Sequence, residues 1–455
     1  MRGTVKISDT DGSPAQLRRV LGLWDLIFYG MVLIQPIAPV GIFGIAGVMA
    51  RGHVSTTLLL AMLAMLPTAY SYGRMSILYP AAGSAYTYVG RGLNPHLGFL
   101  TGWVMLLDYL VIPVINVIYF ALTIQRLVPG IPYVVWVAIT VAALTVLNIQ
   151  RVRLTARANQ AMLAVMTVVI VAFVVLAARY IFRAGQWPGL FSIRPFYDPA
   201  GFDLGAIATA TSLAALTYIG FDGVTTLAEE VENPKRNIPR ATVLVCLATG
   251  LMSTVEIYLA QRAWPDYSSF TNPETAFLDV CGRVGGPHLF QGMAAILVVA
   301  CFGSGLAGQV AAARLLYGMG RDGVLPPVLG RLGMRSGVPV WNVILIGALT
   351  LGGSLLIDYA HAAALLNFGA FLAFMGVNLA TVRRCFFGSS EGRRSWLRTL
   401  LVPGAGFLFC STIWVSLPSA AKIAGGSWLL AGVAYHAVKT RGFRVQPPVA
   451  TFAEE

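Results

Sequence analysis

The chain has 455 residues, 57% hydrophobic and only 11% charged, with a mean hydropathy of +0.72. Soluble globular proteins carry about 25% charged residues, so an ordinary soluble protein is excluded, and the uncharged runs match bilayer-crossing helices of roughly 20 apolar residues each. The net charge of +13 is confined to short stretches between those runs, where Lys and Arg orient a membrane chain and need no nucleic acid to explain them.

Residues 1–20 read as a polar tail. Uncharged runs then predict twelve membrane helices, over about 24–50, 54–78, 96–125, 131–150, 157–182, 206–228, 239–261, 286–317, 338–357, 360–384, 399–417 and 421–438. The first run, Trp24 to Met49, is too long for a signal-peptide core and should stay as a span. With the amino terminus inside, 24 of the 32 Lys and Arg residues fall on that side and 8 on the other, which places both termini in the cytoplasm of a cell (plasma or inner) membrane protein. The longest external stretches, around 184–205 and 262–285, hold Trp187, Pro188, Trp264, Pro265 and Tyr267 and suit interfacial caps. Residues 440–455 form a second tail.

Two spans carry interruptions. The first contains Gln35-Pro36-Ile37-Ala38-Pro39-Val40-Gly41-Ile42-Phe43-Gly44, and the sixth contains Thr217-Tyr218-Ile219-Gly220-Phe221-Asp222-Gly223. Prolines remove backbone donors and glycines loosen the chain where lipid cannot repair it. Each interrupted span opens a five-helix half, and because five is odd the halves have opposite orientation. Residues 21–205 and 206–385 are therefore read as inverted repeats, with 386–439 holding two further spans. Matched interruptions point to a transporter substrate site, since freed N–H and C=O groups and half-helix ends replace the water a solute sheds. Taken singly, each is also compatible with an ordinary kink.

A carboxylate deep in the bilayer costs roughly 2.5–3.5 kcal/mol on insertion scales and so invites a functional reading. Asp108 in span three, Asp222 at the second interruption and Glu256 in span seven qualify; Asp25 and Asp358 lie near span ends. Asp222 can bind a substrate ammonium or take up a proton, Asp108 can supply a second anionic contact as a diamine requires, and Glu256 is a further proton-coupling candidate. Against these stands a structural reading, hydrogen bonding to a neighbouring helix. Tyr218 and Phe221 flank the second interruption, where an aromatic either covers an amine or simply packs. Gln35 and Asn116 offer neutral hydrogen bonds. Ser304 is a weak sodium-ligand candidate, one hydroxyl that can equally bond its own backbone. The five cysteines suggest neither a disulfide framework nor a metal motif, and His53, His96, His288, His361 and His436 have no ligand spacing. No cofactor, catalytic constellation or obligate protein partner is expected. Lys235, Arg236 and Arg240, with Arg314 and Arg321, are expected to pair with Glu229, Glu230, Glu232 and Asp322 at the cytoplasmic face, although topology signalling alone also accounts for most of these cations.

At these residues the chain resembles the amino acid–polyamine–organocation (APC) family of permeases, over about residues 20–385. The resemblance rests on Tyr79-Pro80-Ala81-Ala82-Gly83-Ser84-Ala85-Tyr86-Thr87-Tyr88, Gly98-Phe99-Leu100-Thr101-Gly102-Trp103, Gly220-Phe221-Asp222, Glu229-Glu230-Val231-Glu232-Asn233-Pro234-Lys235-Arg236-Asn237-Ile238-Pro239-Arg240 and Ala313-Arg314-Leu315-Leu316-Tyr317-Gly318-Met319-Gly320-Arg321-Asp322-Gly323. The stretch Asn94-Pro95-His96 through Leu106-Leu107-Asp108-Tyr109-Leu110 and Pro113-Val114-Ile115-Asn116 is similar to bacterial putrescine importers. The resemblance implies a leucine-transporter-type all-α fold of inverted 5+5 repeats plus two helices, and alternating access driven by protons or exchange. Where the family has a Gly-Ser-Gly-type carboxylate cradle this chain bears prolines, and Gly41 stands near the position where putrescine importers tend to have an acidic residue. The expectation is a secondary active importer of amino acids or polyamines, not an enzyme, with Gln35, Ile37, Ala38, Gly41, Asp108, Tyr218, Ile219, Gly220, Phe221 and Asp222 at the substrate site and Asp222 and Glu256 handling protons. An exchanger, or a sensor on a transporter scaffold, is the alternative.

Overall fold

A computed structural model describes residues 21–35, 37–79, 84–150, 156–227, 230–321, 323, 325–333, 337–388 and 395–446. Pro36, Pro80, Ala81, Ala82, Gly83, Glu229, Asp322 and the ends of both tails, named above, lie outside the described residues.

The described chain is helical: α1 (Leu23–Ile34), α2 (Ala38–Met49), α3 (Val54–Leu78), α4 (Ser84–Gly92), α5 (Pro95–Leu127), α6 (Tyr133–Ile149), α7 (Ala156–Leu190), α8 (Leu204–Ala214), α9 (Pro234–Ala263), α10 (Ala276–Arg321), α11 (Val340–Leu356), α12 (Tyr359–Val382), α13 (Val402–Val415) and α14 (Ser419–Lys439). Among the described residues, eight helical stretches are long and apolar enough to cross a membrane, and α2, α6 and α11 are shorter apolar helices. The last expected span, 421–438, is helical as α14 but is not one of those eight.

Three local expectations are corrected. Residues 276–285, read as external loop, belong to α10, which is interrupted at Gly286 (φ 68°, ψ −165°). The following Pro287 disfavours helical conformation in the residue before it, so the Gly-Gly-Pro sequence bends a helix where it looked like a helix start. Span five continues as helix to Leu190, and the loop after span two contains the nine-residue helix α4.

Lipid tails are as apolar as leucine, so close backbone approach and polar cross-links hold such a bundle together. α5 packs against α10 and α12, and α3 against α9. A Cβ at Gly432 of α14 would lie 2.3 Å from Trp103 Cδ1, and there the Trp103 and Trp428 indoles donate to each other's backbone carbonyls at 2.9 and 3.0 Å. Asn148 donates to Gln309 at 2.8 Å, and Gln309 donates on to Thr145 and the Val343 carbonyl. Val168, Val171 and Val175 of α7 stay exposed, as a lipid-facing surface should. At helix ends, Asp203 accepts from the backbone N–H groups of Gly205 and Ala206, and Arg51 lies 3.3 Å away. Those amides and Arg51 hold the Asp203 carboxyl below its ordinary range.

Of the carboxylates expected to pair with the basic cluster, Glu229 and Asp322 lie outside the described residues. Among the described residues, no carboxylate lies within ion-pair distance of Lys235, Arg236 or Arg240, and Glu230 and Glu232 meet the Leu21 backbone through their own main-chain groups.

Candidate functional site

Both interrupted spans are broken in the structure. α1 ends at Ile34 and α2 begins at Ala38. Gln35 caps α1 with φ 61° and ψ 114°, a conformation costing a non-glycine residue about 1–3 kcal/mol and typical of functional sites. Beyond the break the Ala38 N–H donates to the Gln35 carbonyl and the Val40 N–H to the Ile37 carbonyl, while Pro39 has no N–H. The first turn of α2 therefore presents few free donors to an anion.

In span six, α8 passes into a 3-10 turn at Ala215–Tyr218, becomes extended at Ile219, and resumes as a 3-10 segment at Phe221–Leu227. Gly220 sits at φ 121°, a conformation suited to glycine. The two breaks touch: a Cβ on Gly220 would lie 3.4 Å from the Leu33 carbonyl carbon and 3.5 Å from the Ile34 nitrogen.

Between them lies a cavity of about 370 Å³, within the range of small-ligand pockets. Its wall includes Gln35, Ile37, Ala38 and Gly41 from the first break, Ile219, Gly220 and Asp222 from the second, Asp108 and Asn116 from α5, and Ser304 from α10. Asp222 is half-buried, its carboxylate beside the backbone of its own turn at Gly220 and Gly223. Asp108 is 8% exposed and its Oδ1 has no hydrogen-bond partner. Asn116 donates to the Ile112 carbonyl of its own helix at 2.8 Å. No Lys, Arg or His belongs to the wall as described.

Three expected site residues stand outside this cavity. Tyr218 is fully buried and donates to the Leu58 carbonyl of α3 at 2.8 Å, and the Phe221 ring packs 5.6 Å from Tyr72 and 5.4 Å from Phe374. Tyr218 closes the first 3-10 segment and Phe221 opens the second, and both side chains pack into the core, whereas Ile219 and Asp222 line the cavity. Glu256 of α9 is 2% exposed, away from the cavity, and neither carboxylate oxygen has a partner.

The wall also holds residues not singled out from sequence. Tyr119 and Tyr359 place their rings 5.1 Å apart, and the Tyr119 hydroxyl is buried without a partner. A Cβ on Gly41 would lie 2.6 Å from the Tyr359 hydroxyl, so Gly41 has no room for a longer side chain in this conformation. Tyr109 is on the wall as well; Pro113 lacks the N–H that would bond the Tyr109 carbonyl in an unbroken helix.

A helical membrane bundle with two broken helices meeting at an acidic cavity is the architecture of a permease. The chain belongs to the amino acid permease family, described as "Amino acid permease", which matches residues 30–421. It is 34% identical over 440 residues to the low-affinity putrescine importer PlaP of Escherichia coli K12, covering 96% of this chain and 97% of that protein. It is also 27% identical over 399 residues to the vacuolar cationic amino acid transporter 4 of Arabidopsis thaliana, with 82% and 64% covered. The branched-chain amino acid permease BcaP of Bacillus subtilis is 25% identical over 466 residues, with 96% of each chain covered. These relatives are named as transporters or permeases, not enzymes, and the chain is a multi-pass membrane transporter of small molecules.

Proposed function

We propose that this permease is a secondary active importer of small diamines such as putrescine, working by alternating access with protons as the coupling ion. The observation that carries the reading is the charge of the cavity: two carboxylates, Asp108 and Asp222, on a wall with no cation among its described residues. Buried charges need compensation, and a doubly protonated diamine supplies two ammonium groups for two carboxylates. An amino acid would bring a carboxylate of its own to a first break whose α2 donors are spent on Gln35 and Ile37 or missing at Pro39. The relatives favour both substrate classes, one named a putrescine importer and two named amino acid carriers, so amino acids are the second reading.

Asp222 and Glu256 are the proposed proton carriers. Glu256 is buried with both oxygens unpartnered, the setting in which an intramembrane acid serves a proton relay. The proposed architecture is twelve spans, α1 and α2 forming the first and α8 with its 3-10 continuation the sixth, arranged as inverted repeats over 21–205 and 206–385, with 386–439 added and both termini cytoplasmic. The excess of Lys and Arg on one side supports that orientation.

Proteoliposomes test the proposal directly. With an acidic exterior, labelled putrescine accumulates, and dissipating the proton gradient abolishes accumulation. Failure to accumulate putrescine while an amino acid is taken up selects the second reading. Ligand binding without counterflow would instead identify a sensor, and counterflow insensitive to the gradient an exchanger.

A further inference from the structure

On a groove of about 360 Å³ that shares no lining residue with the cavity, five cations converge. Arg74 comes from α3, Lys235, Arg236 and Arg240 from the beginning of α9, and Arg398 from the turn leading into α13. None of the five makes an ion pair with a carboxylate among the described residues. The Arg74 Nε is buried without a hydrogen-bond partner.

Local electrostatics makes the cluster costly as it stands. The amino-terminal end of a helix carries partial positive charge and favours anions, yet the first turn of the 30-residue α9 contains no acid, and Lys235 and Arg236 occupy it. Its cap, Asn233, is left-handed at φ 49° and makes no side-chain capping bond. Cations from three separate elements therefore face the same space, and a multivalent oxyanion satisfies them together.

The surroundings identify the source of that oxyanion. Ile77 and Pro239 give the groove an apolar wall, and Arg398 follows Trp396 and Leu397, whose side chains are 64% and 61% exposed. An outward-facing Trp beside a basic residue marks the level where headgroups meet acyl chains, and basic pockets between membrane helices bind anionic headgroups. We infer that the groove between α3, α9 and the start of α13 is a binding site for the phosphate headgroup of an anionic phospholipid.

The test uses the purified full chain in neutral detergent, titrated separately with phosphatidylglycerol, phosphatidylcholine and inorganic phosphate, reading the thermal unfolding midpoint. Phosphatidylglycerol is expected to raise the midpoint of the wild type, and the other two to leave it unchanged. In R236Q/R240Q the half-saturating phosphatidylglycerol concentration is expected to rise roughly 25-fold, about fivefold for each exposed cation removed, equivalent to about 1 kcal/mol per residue. Matching size-exclusion and circular dichroism profiles establish that the variant is folded; if they differ, R398Q alone replaces it, with a rise of roughly fivefold expected. An unchanged phosphatidylglycerol titration in the folded variant, or equal stabilisation by phosphatidylcholine, overturns the site. Reproduction of the effect by inorganic phosphate overturns its assignment to lipid.

Discussion

Replacing each cavity carboxylate in turn with its neutral isostere, Asp108→Asn and Asp222→Asn, separates the two proposed amine contacts. A hydrogen bond to a charged partner contributes about 1.5–3 kcal/mol, and 1.4 kcal/mol is tenfold in affinity, so each substitution is expected to weaken putrescine binding roughly 10- to 150-fold. The structure ranks them. Asp108 is 8% exposed with one oxygen unpartnered, so its loss belongs at the upper end. Asp222 is less buried and lies beside the backbone of its own turn, so its loss belongs at the lower end. Equilibrium binding of labelled putrescine reads both, and competition with butylamine, which has a single ammonium, adds a control: it should be sensitive to one substitution and nearly indifferent to the other. Wild-type putrescine affinity in both variants would refute the two-carboxylate reasoning.

Glu256→Gln is expected to keep putrescine counterflow while losing gradient-driven accumulation, measured in the same vesicles; undiminished accumulation removes Glu256 from the proton path. Gly44→Ala places a Cβ 2.2 Å from the Pro273 carbonyl oxygen, a backbone atom that cannot swing aside, and overpacking of about 1–3 kcal/mol should lower the thermal midpoint without altering the cavity wall. Asp203 has a depressed pKa, so its stabilising effect is present above the ordinary carboxylate value of about 3.9 and is lost as pH falls through the depressed one. Asp203→Ala should therefore melt below wild type at neutral pH, with the gap closing only in strong acid; a gap independent of pH would deny the carboxylate its part.

The breaks were legible because their cause is covalent: Pro39 lacks a donor and Gly220 tolerates φ 121°, and both facts can be read from residue type. Asp108 and Asp222 were legible for a related reason, since an acid in an apolar run has few inexpensive explanations. Sequence proximity to a break, however, does not fix which side of it a residue faces. Tyr218 and Phe221 adjoin the second break but turn into the core, Tyr218 donating to the Leu58 carbonyl and Phe221 packing on Tyr72 and Phe374, because the extended residue Ile219 and Gly220 at φ 121° separate them and reset the side each residue faces. Tyr119 and Tyr359 were invisible for the opposite reason. They come from α5 and α12, look like ordinary packing aromatics, and reach the cavity together only in three dimensions, where the missing Cβ of Gly41 admits the Tyr359 hydroxyl. Short helices at loops fared similarly: the ten residues before Gly286 and the segment forming α4 lack the long uncharged run that marks a span.

The most direct test of the account is a structure determined with putrescine at saturating concentration. Elongated density is expected between the breaks, one end at Asp108 and the other at Asp222. Ligand density elsewhere in the bundle, or a cavity that stays unchanged while putrescine is demonstrably bound, would contradict it.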